Sequence, residues 1–463
     1  MIFTTRYFKT TVARSALAGF AVAMMAQPVH AETLLEALAK AYATNPSLQS
    51  ARATLRATDE GVSQAISGWR PSLSVTGTAS AKQQETNADP GNKIDTNPKT
   101  LGLSLSQSLY AGGQTTAAIS SAENTVRAQR ARLLTSEQTV LLNAASAYLN
   151  VLRDQAVVEL NLKNEQVLAS QLEATQDRFN VGEITRTDVH QAESRLAGST
   201  ADRIQAQGDL EASRANYANL MGEAPGTLVT PNLGLPLPGS LDEALSQSED
   251  SNPTVLAAIY DEKAARDSID NTRGQLLPSV DLSGTATRSL DTTSDNYWAN
   301  AYEAKVTMSV PLYQSGSVYS QLRAARQTAA ASRLTADQTK RDAAEQVRSA
   351  WETLVTTRAR IEAIKTQVRA AETALEGVQR EASVGSRTVL DVLDAEQELL
   401  NARVNLVKSQ RDKTVAALTV LSSVGNLTAA DLNLPVDLYD AQGHYRDVRG
   451  KWFGGDVGAG TAK

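Results

Sequence analysis

The chain has 463 residues, of which 21% are charged, and a formal net charge of −6 at pH 7. This acidic balance argues against a nucleic-acid-binding protein, because neutralising phosphates requires a basic face. Cysteine is absent and histidine occurs three times. These counts exclude disulfides and thiolate chemistry, and they leave almost nothing for a histidine-rich metal site or a Ser-His-Asp triad. We therefore predict a protein that is not an enzyme and uses no cofactor.

The first 31 residues have the features of a secretory signal peptide. Three basic residues precede an apolar run at 15–26, and residues 29–31 match a small-residue cleavage site. The run is short for a spanning helix, so an N-terminal anchor is the less favoured alternative and the mature chain is predicted to begin near Glu32. No later stretch approaches the roughly 18 apolar residues that such a helix needs. The mature protein is therefore expected to be exported and soluble, or inserted in a membrane as β-strands.

An internal duplication organises the rest of the chain. Matching segments recur in the same order: Asn45-Pro46 with Asn252-Pro253, Leu109-Tyr110 with Leu312-Tyr313, and Val181-Gly182 with Val384-Gly385. The predicted organisation is a signal peptide over 1–31, a first structural repeat over 32–224, a proline-rich linker over 225–239, a second repeat over 240–439 and a C-terminal tail over 440–463.

Each repeat is predicted to begin with a helix, because a capping-box motif marks the helix start. Thr33 with Glu36, and Ser240 with Glu243, have the capping-box spacing, in which side chain and backbone satisfy each other at the helix start. The Asn-Pro pairs then interrupt that helix, because the residue before a proline is biased away from helical geometry.

Four strands follow from a change of period. Apolar residues alternate with serine, threonine and other polar residues, which predicts strands at about 72–82, 100–110, 279–288 and 302–312, separated within each repeat by exposed polar loops at 82–99 and 289–301. The length and alternation fit transmembrane β-strands with apolar side chains toward lipid. Half-buried hairpins of a soluble protein are the alternative.

The strands are separated by long helical stretches. Residues 114–178 and 317–380 contain no proline and are rich in good helix formers. In the second stretch, apolar residues recur at spacings of three and four, as in a coiled-coil seam: Ile361, Ile364, Val368, Ala371, Leu375 and Val378. A Val-Gly pair then reverses the chain into another helix. Each repeat is thus predicted to carry a long helical hairpin, with a plain coiled-coil tether as the alternative.

Four strands cannot close a barrel in a membrane, because the open edges would leave backbone groups unsatisfied in hydrocarbon. Several copies must therefore pool their strands. Two copies would give eight strands with a lumen filled by side chains, and three would give twelve with an open bore. We favour three, with the helices forming a tube on the same axis.

The duplicated motifs, Asn-Pro, Pro-Ser-Leu, Leu-Tyr-x-x-Gly and Val-Gly-x-x-x-x-x-Asp-Val, resemble the TolC family of outer-membrane efflux and secretion channels over nearly all of the mature chain. The resemblance implies a mainly α fold with a membrane β-barrel: a homotrimer with a twelve-stranded barrel in outer-membrane lipid, continued by a periplasmic α-barrel of twelve helices. It also implies docking to an inner-membrane transporter through a periplasmic adaptor, a membrane fusion protein. The expected activity is export of drugs or proteins.

Both Val-Gly turns should lie at the periplasmic tip, because they are the hairpin ends remote from the strands. The resemblance implies adaptor docking at these turns, which are formed by Val181, Gly182, Val384 and Gly385. It also implies a periplasmic gate, in which Arg387 links to Asp188 and Thr187 of a neighbouring hairpin. Alternatively, these residues are ordinary surface charges worth under about 1 kcal/mol each.

Asp391 and Asp394 are three residues apart on a predicted helix and project from one face. Repeated by threefold symmetry, they would form an acidic ring at the entrance that attracts cations. The alternative is a solvated acid pair favoured by the helix dipole. The family gates also carry, in some members, a tyrosine where this sequence has Ala382, so the latch is expected to have fewer links.

Two other functions stay open on the residues alone. A periplasmic adaptor also uses helical hairpins, and a structural coiled-coil protein of the envelope would need no pore. The four alternating strands and their duplication have no role in an adaptor. The sequence decides neither the exported cargo nor the order of the tail over 440–463.

Overall fold

The computed structural model describes residues 32–85, 87, 91, 93–231 and 234–456. The predicted signal peptide lies outside these residues. In chain order the elements are α1 (Leu34–Thr44), α2 (Pro46–Ser67), β1 (Ser72–Ala79), β2 (Lys82–Glu85), β3 (Lys93–Thr96), β4 (Lys99–Ala111), α3 (Gln114–Asn180), α4 (Arg186–Met221), α5 (Leu241–Ser251), α6 (Pro253–Gly274), β5 (Ser279–Leu290), β6 (Trp298–Ser309), α7 (Ser317–Ser383), α8 (Val389–Val424) and α9 (Gly443–Val448).

Four strands form one antiparallel sheet in the order β1-β4-β5-β6, and β2 pairs with β3 in a separate hairpin. The hairpin falls in the stretch 82–99 that was predicted as a loop, and that prediction is wrong. The hairpin forms by backbone pairing, for example of Gln83 with Asp95. The prediction failed because these residues show no apolar alternation and therefore give no strand signal.

The last strand also differs from its prediction. It runs from Trp298, which pairs with Leu290 of β5, and ends at Ser309, not over 302–312. Pro311 has no N–H to donate to a ladder, so the apolar alternation continues past the point where pairing stops. The predicted loop at 289–301 is correspondingly shorter, and the N–H of Asp291 closes it by donating to the Tyr297 carbonyl at 2.7 Å.

The register gives the sheet one apolar and one hydroxyl face. Directly paired residues share a face, and the apolar face carries Leu73, Val75, Leu101, Leu103, Leu105, Leu282, Tyr302, Val306 and Met308. The other face carries serine and threonine, with a hydrogen bond of 2.7 Å between the Ser74 and Ser104 hydroxyls. Asp281, Glu303 and Lys305 also lie on the hydroxyl face. The sheet is therefore amphipathic across its thickness.

Each Asn-Pro pair joins two helices end to end. The side-chain oxygen of Asn45 accepts from the Ser47 N–H at the start of α2, and its amide donates to the Leu220 carbonyl near the end of α4. Asn252 does the same between α6 and α8, accepting from Thr254 and donating to the Ser423 carbonyl. At each interruption that the sequence predicted, the asparagine side chain thus joins the start of one helix to the end of another. We call this junction a helix splice.

The splices produce four helical columns per chain: α4 with α2, α3, α8 with α6, and α7. The first column packs on α3, α3 packs on α6 and α8, and these pack on α7. This column order is the strand order of the sheet, because β1 follows α2, β4 precedes α3, β5 follows α6 and β6 precedes α7. Each column therefore continues one strand. At about 1.5 Å per residue, the 67-residue helices α3 and α7 are roughly 100 Å long.

The main apolar core lies midway along the columns, where α1 packs on α3 and α4. At its centre the buried Tyr148 hydroxyl lies 2.7 Å from each of the Glu32 and Val229 carbonyl oxygens, to which it can donate its one hydrogen. It also accepts from the Val229 N–H at 3.0 Å, and these contacts tie the linker to the helices. The predicted capping box at Thr33 and Glu36 is confirmed. At Ser240 only half of it forms, because Glu243 accepts from the N–H of Gly239.

Candidate functional site: the hairpin tips

The two helical hairpins end in matching turns at the pole remote from the sheet. Gly182 and Gly385 have φ of 82° and 81°, in the left-handed region that glycine adopts without steric penalty. The N–H of Gly182 donates to the Phe179 carbonyl at 2.9 Å. Val181 and Val384 are 73% and 78% exposed. Each tip therefore presents an apolar side chain to solvent on a hydrogen-bonded glycine turn.

Capping boxes fix the start of each returning helix. The Asp188 carboxylate accepts from the backbone N–H and hydroxyl of Thr185 at 2.9 and 2.8 Å, and Asp391 accepts in the same way from Thr388. These bonds to Thr388, first the backbone N–H and then the hydroxyl, hold the pKa of Asp391 below its usual value. The Thr-x-x-Asp spacing is the capping-box signal for both helices in the sequence.

Arg387 lies at the tip of the second hairpin, paired within that hairpin. Its Nε donates to Glu381 at 2.9 Å across the turn, and both side chains are about half exposed. This carboxylate raises the pKa of Arg387. Thr187 is exposed on the first turn of α4, beside the half-buried Asp188. The predicted link from Arg387 to Asp188 and Thr187 of a neighbouring hairpin stays a prediction.

Near the tips the two hairpins of one chain touch. Leu168, Ala192, Val389 and Leu393 form a small buried cluster between them. One turn along, Arg195 of α4 donates to Asp394 of α8 at 2.5 Å. Asp394 therefore faces the other hairpin of its own chain and shares its charge with a guanidinium. Its membership of an acidic ring with Asp391 stays a prediction.

The rest of the seam follows the heptad pattern. Ile361, Ile364 and Leu375 are buried, and Ala382 is buried at the end of α7. Among the described residues, no group of three or more His, Asp or Glu side chains is placed to hold a metal ion. None of the helices in the described part of the chain has the length and apolarity to cross a membrane.

The structure thus combines a sheet that has one apolar face with helical columns about 100 Å long. The family described as outer membrane efflux protein matches residues 37–223 and 244–426, one match for each repeat. The chain belongs to this family, and the identification made from the duplicated motifs is confirmed.

The relatives carry names that agree with this family. The chain is 34% identical to the outer membrane efflux protein BepC of Brucella suis, over 92% of this chain and 93% of that protein. It is 27% identical to the outer membrane protein TolC of Escherichia coli, over 90% and 87%. The solved CmeC outer membrane channel of Campylobacter jejuni superposes with a TM-score of 0.79 at 14% identity, covering 90% of this chain and 89% of that one, which shows the shared fold. The protein is thus an outer membrane efflux protein.

Proposed function

We propose that three copies of this chain assemble into one continuous duct from the periplasm to the exterior. Four strands from each copy close a twelve-stranded barrel, and four helical columns from each copy close a twelve-helix barrel below it. The passage is a transport path, and the work of bond making or energy coupling belongs to a separate inner-membrane transporter.

The observation that carries this proposal is the coincidence of open edges. Within the described residues, β1 and β6 are the outer strands of the sheet, and each pairs on one side only. Two columns continue these strands: the column of α2 and α4 continues β1, and α7 continues β6. They are also the outer columns. Unpaired edge groups in hydrocarbon cost several kcal/mol each, so strand edges in a membrane require partners. A ring of copies satisfies strands and columns at the same two sides.

The two faces of the sheet support its orientation. Leu73, Val306 and Met308 on the apolar face are all more than 60% exposed in the single chain, and lipid would cover them. The hydroxyl face, with Asp281 and Lys305, then lines the bore. Twelve strands leave room for an aqueous path.

The tips supply the gate and the adaptor contact. The exposed Val181 and Val384 on their glycine turns offer a repeated apolar contact for a periplasmic adaptor, six per trimer. Arg387 closes the entrance by exchanging Glu381 for Asp188 and Thr187 of a neighbouring hairpin, and a charge-assisted pair at a dehydrated constriction is strong enough to bias such a two-state element. Asp391 and Asp394 give the entrance its negative charge.

Single-channel recording in a planar bilayer tests the duct and the gate together. The purified protein is expected to give discrete small openings, and Arg387→Ala larger or longer ones. Arg214→Ala is the matched control, because Arg214 pairs with Glu211 on its own helix at 2.7 Å, away from the tips. If Arg387→Ala leaves the openings unchanged, the duct proposal stands and the gate proposal is wrong. If no variant forms pores, the duct proposal is refuted.

A further inference from the structure

We propose that the C-terminal segment 439–456 is an interfacial anchor whose Trp452 and Phe453 contact the phospholipid headgroup layer on the periplasmic face of the outer membrane. This inference rests on the proposed function, because it requires the four-stranded sheet to lie in that membrane. It assigns a lipid-binding role to a segment that begins where the second structural repeat ends.

The segment runs along the helical columns toward the sheet. The Arg52 guanidinium on α2 lies 5.1 Å from the Tyr439 ring. Further along, His444 Nδ1 lies 3.4 Å from the buried Asp59 carboxylate. The Arg130 guanidinium on α3 then lies 5.0 Å from the Tyr445 ring. Residue numbers along α2 increase toward β1. These contacts therefore place successive residues of the segment progressively closer to the end of the columns where the strands begin.

The segment is held at that end by Arg70. The Arg70 guanidinium donates to the Lys451 carbonyl at 2.7 Å and lies 4.9 Å from the Trp452 ring. Arg70 comes two residues before Ser72, the first residue of β1, which is one of the strands that the proposed barrel places in the membrane. Trp452 therefore sits at the level where the sheet meets the helices, which is where lipid headgroups would lie.

The side chains at this level have interfacial chemistry. Trp452 is 58% and Phe453 87% exposed, although both are large apolar groups. Tyr110 and Tyr313, at the same end of the strands, are exposed as well. Tryptophan and tyrosine are enriched at membrane interfaces, where the ring meets the acyl boundary and its polar edge meets water.

The charges agree with a phospholipid partner. Arg70 and Lys451 place two cations beside the aromatic pair. The Lys451 ammonium donates one N–H to the Asp456 carbonyl at 3.1 Å and has two further N–H donors for a headgroup phosphate. The exposed aromatic side chains of the segment lie next to the end of the apolar sheet face. A protein partner gives no reason for these two apolar surfaces to adjoin. Lipid is the occupant that covers the sheet and the segment with one boundary.

Site-directed spin labelling tests this directly, because the chain has no cysteine and single labels need no background substitution. Nitroxides are placed on Phe453→Cys, on Val306→Cys of the apolar sheet face, and on Ser386→Cys of a hairpin tip. The full-length protein is reconstituted in vesicles of phosphatidylethanolamine and phosphatidylglycerol. Power saturation then gives the accessibility of each label to oxygen relative to a water-soluble nickel chelate, a ratio that rises with depth in lipid.

The expected ratio at Phe453→Cys is severalfold above that at Ser386→Cys and below that at Val306→Cys. A second substitution, Trp452→Ser, is expected to return the Phe453→Cys label to the value at Ser386→Cys. A water-like label at 453 with a lipid-like label at 306 would overturn the anchor and leave the barrel intact. A label at 453 inaccessible to both reagents would indicate a protein contact and also overturn it. A water-like label at 306 would instead refute the proposed function.

Discussion

Arg195 on α4 and Asp394 on α8 are joined by a hydrogen-bonded ion pair of 2.5 Å that links the two helical hairpins of one chain near their tips. The two side chains are 41% and 56% exposed, and an exposed pair of this kind is worth under about 1 kcal/mol. Its consequence is mainly electrostatic, since Arg195 offsets part of the negative charge expected at the entrance.

Arg195→Gln is therefore predicted to make the pore more cation-selective. The substitution removes one positive charge per chain and leaves Asp394 without its guanidinium. The measurement is the reversal potential in a potassium chloride gradient across a planar bilayer. Arg214→Gln, which breaks a pair with Glu211 within α4, is the control. Equal shifts from both variants would assign the effect to net charge and contradict a special role for Asp394.

Glu381→Gln is predicted to tighten the gate, with smaller or rarer openings than the wild-type channel. In the single chain Glu381 holds Arg387, so removing its charge frees the guanidinium for Asp188 of a neighbouring hairpin. Arg387→Ala is predicted to act in the opposite direction. Glu376→Gln is the control, because Glu376 pairs with Arg380 on its own helix. If Glu381→Gln widens the openings as Arg387→Ala does, the pair inside the hairpin is itself the latch.

The two helix splices are predicted to tolerate alanine unequally. Gly222 and Gly425 end α4 and α8 with φ of 83° and 97°, and the left-handed conformation costs a non-glycine residue about 1–2 kcal/mol. A Cβ on Gly222 would meet nothing within 4 Å, whereas one on Gly425 would lie 2.5 Å from the Ser251 carbonyl oxygen.

Gly425→Ala should therefore lower stability by about 1–3 kcal/mol more than Gly222→Ala, the usual range for overpacking. The midpoint of chemical unfolding in detergent, followed by far-UV circular dichroism, measures the difference. Equal midpoints would show that the splice between α8 and α6 yields to the added carbon.

The tip of the second hairpin is predicted to loosen in acid. Because the pKa of Asp391 is lowered in the folded state by the N–H and hydroxyl of Thr388, its contribution to stability is present above the unfolded value of about 3.9 and is lost as pH falls through the folded value. Hydrogen exchange at residues 388–391, corrected for intrinsic rates, should accelerate over that acid range. Asp391→Asn should be equally fast at all pH values. A pH-independent wild type would contradict the cap.

The local signals in the sequence account for much of this structure. The duplication, the proline-free helical stretches and the Val-Gly turns are encoded by residues whose conformational preference is strong in isolation, as the positive φ of Gly182 and Gly385 shows. The β2–β3 hairpin was not predictable in that way, because backbone pairing between Gln83 and Asp95 leaves no periodic trace.

The candidate site was predictable in part. The sequence located the tips, and the Thr-x-x-Asp spacing encodes the caps at Asp188 and Asp391, but no local pattern revealed that Glu381 is the partner of Arg387. That pairing depends on which of several nearby polar groups the folded turn brings within about 3 Å. The pairing of Arg195 with Asp394 requires two hairpins more than a hundred residues apart to pack, which no local pattern reports.

The central claim is that sheet edges of three copies join in a closed ring, and cysteine cross-linking tests it most directly. Ser74 on β1 and Glu303 on β6 both lie on the hydroxyl face and in one row of the sheet. In outer membranes carrying the Ser74→Cys, Glu303→Cys double variant, a long flexible bismaleimide should yield a covalent series that stops at the trimer. Each single variant should yield none or little of it. A series that stops at the dimer, or a ladder that continues past the trimer, would contradict the account.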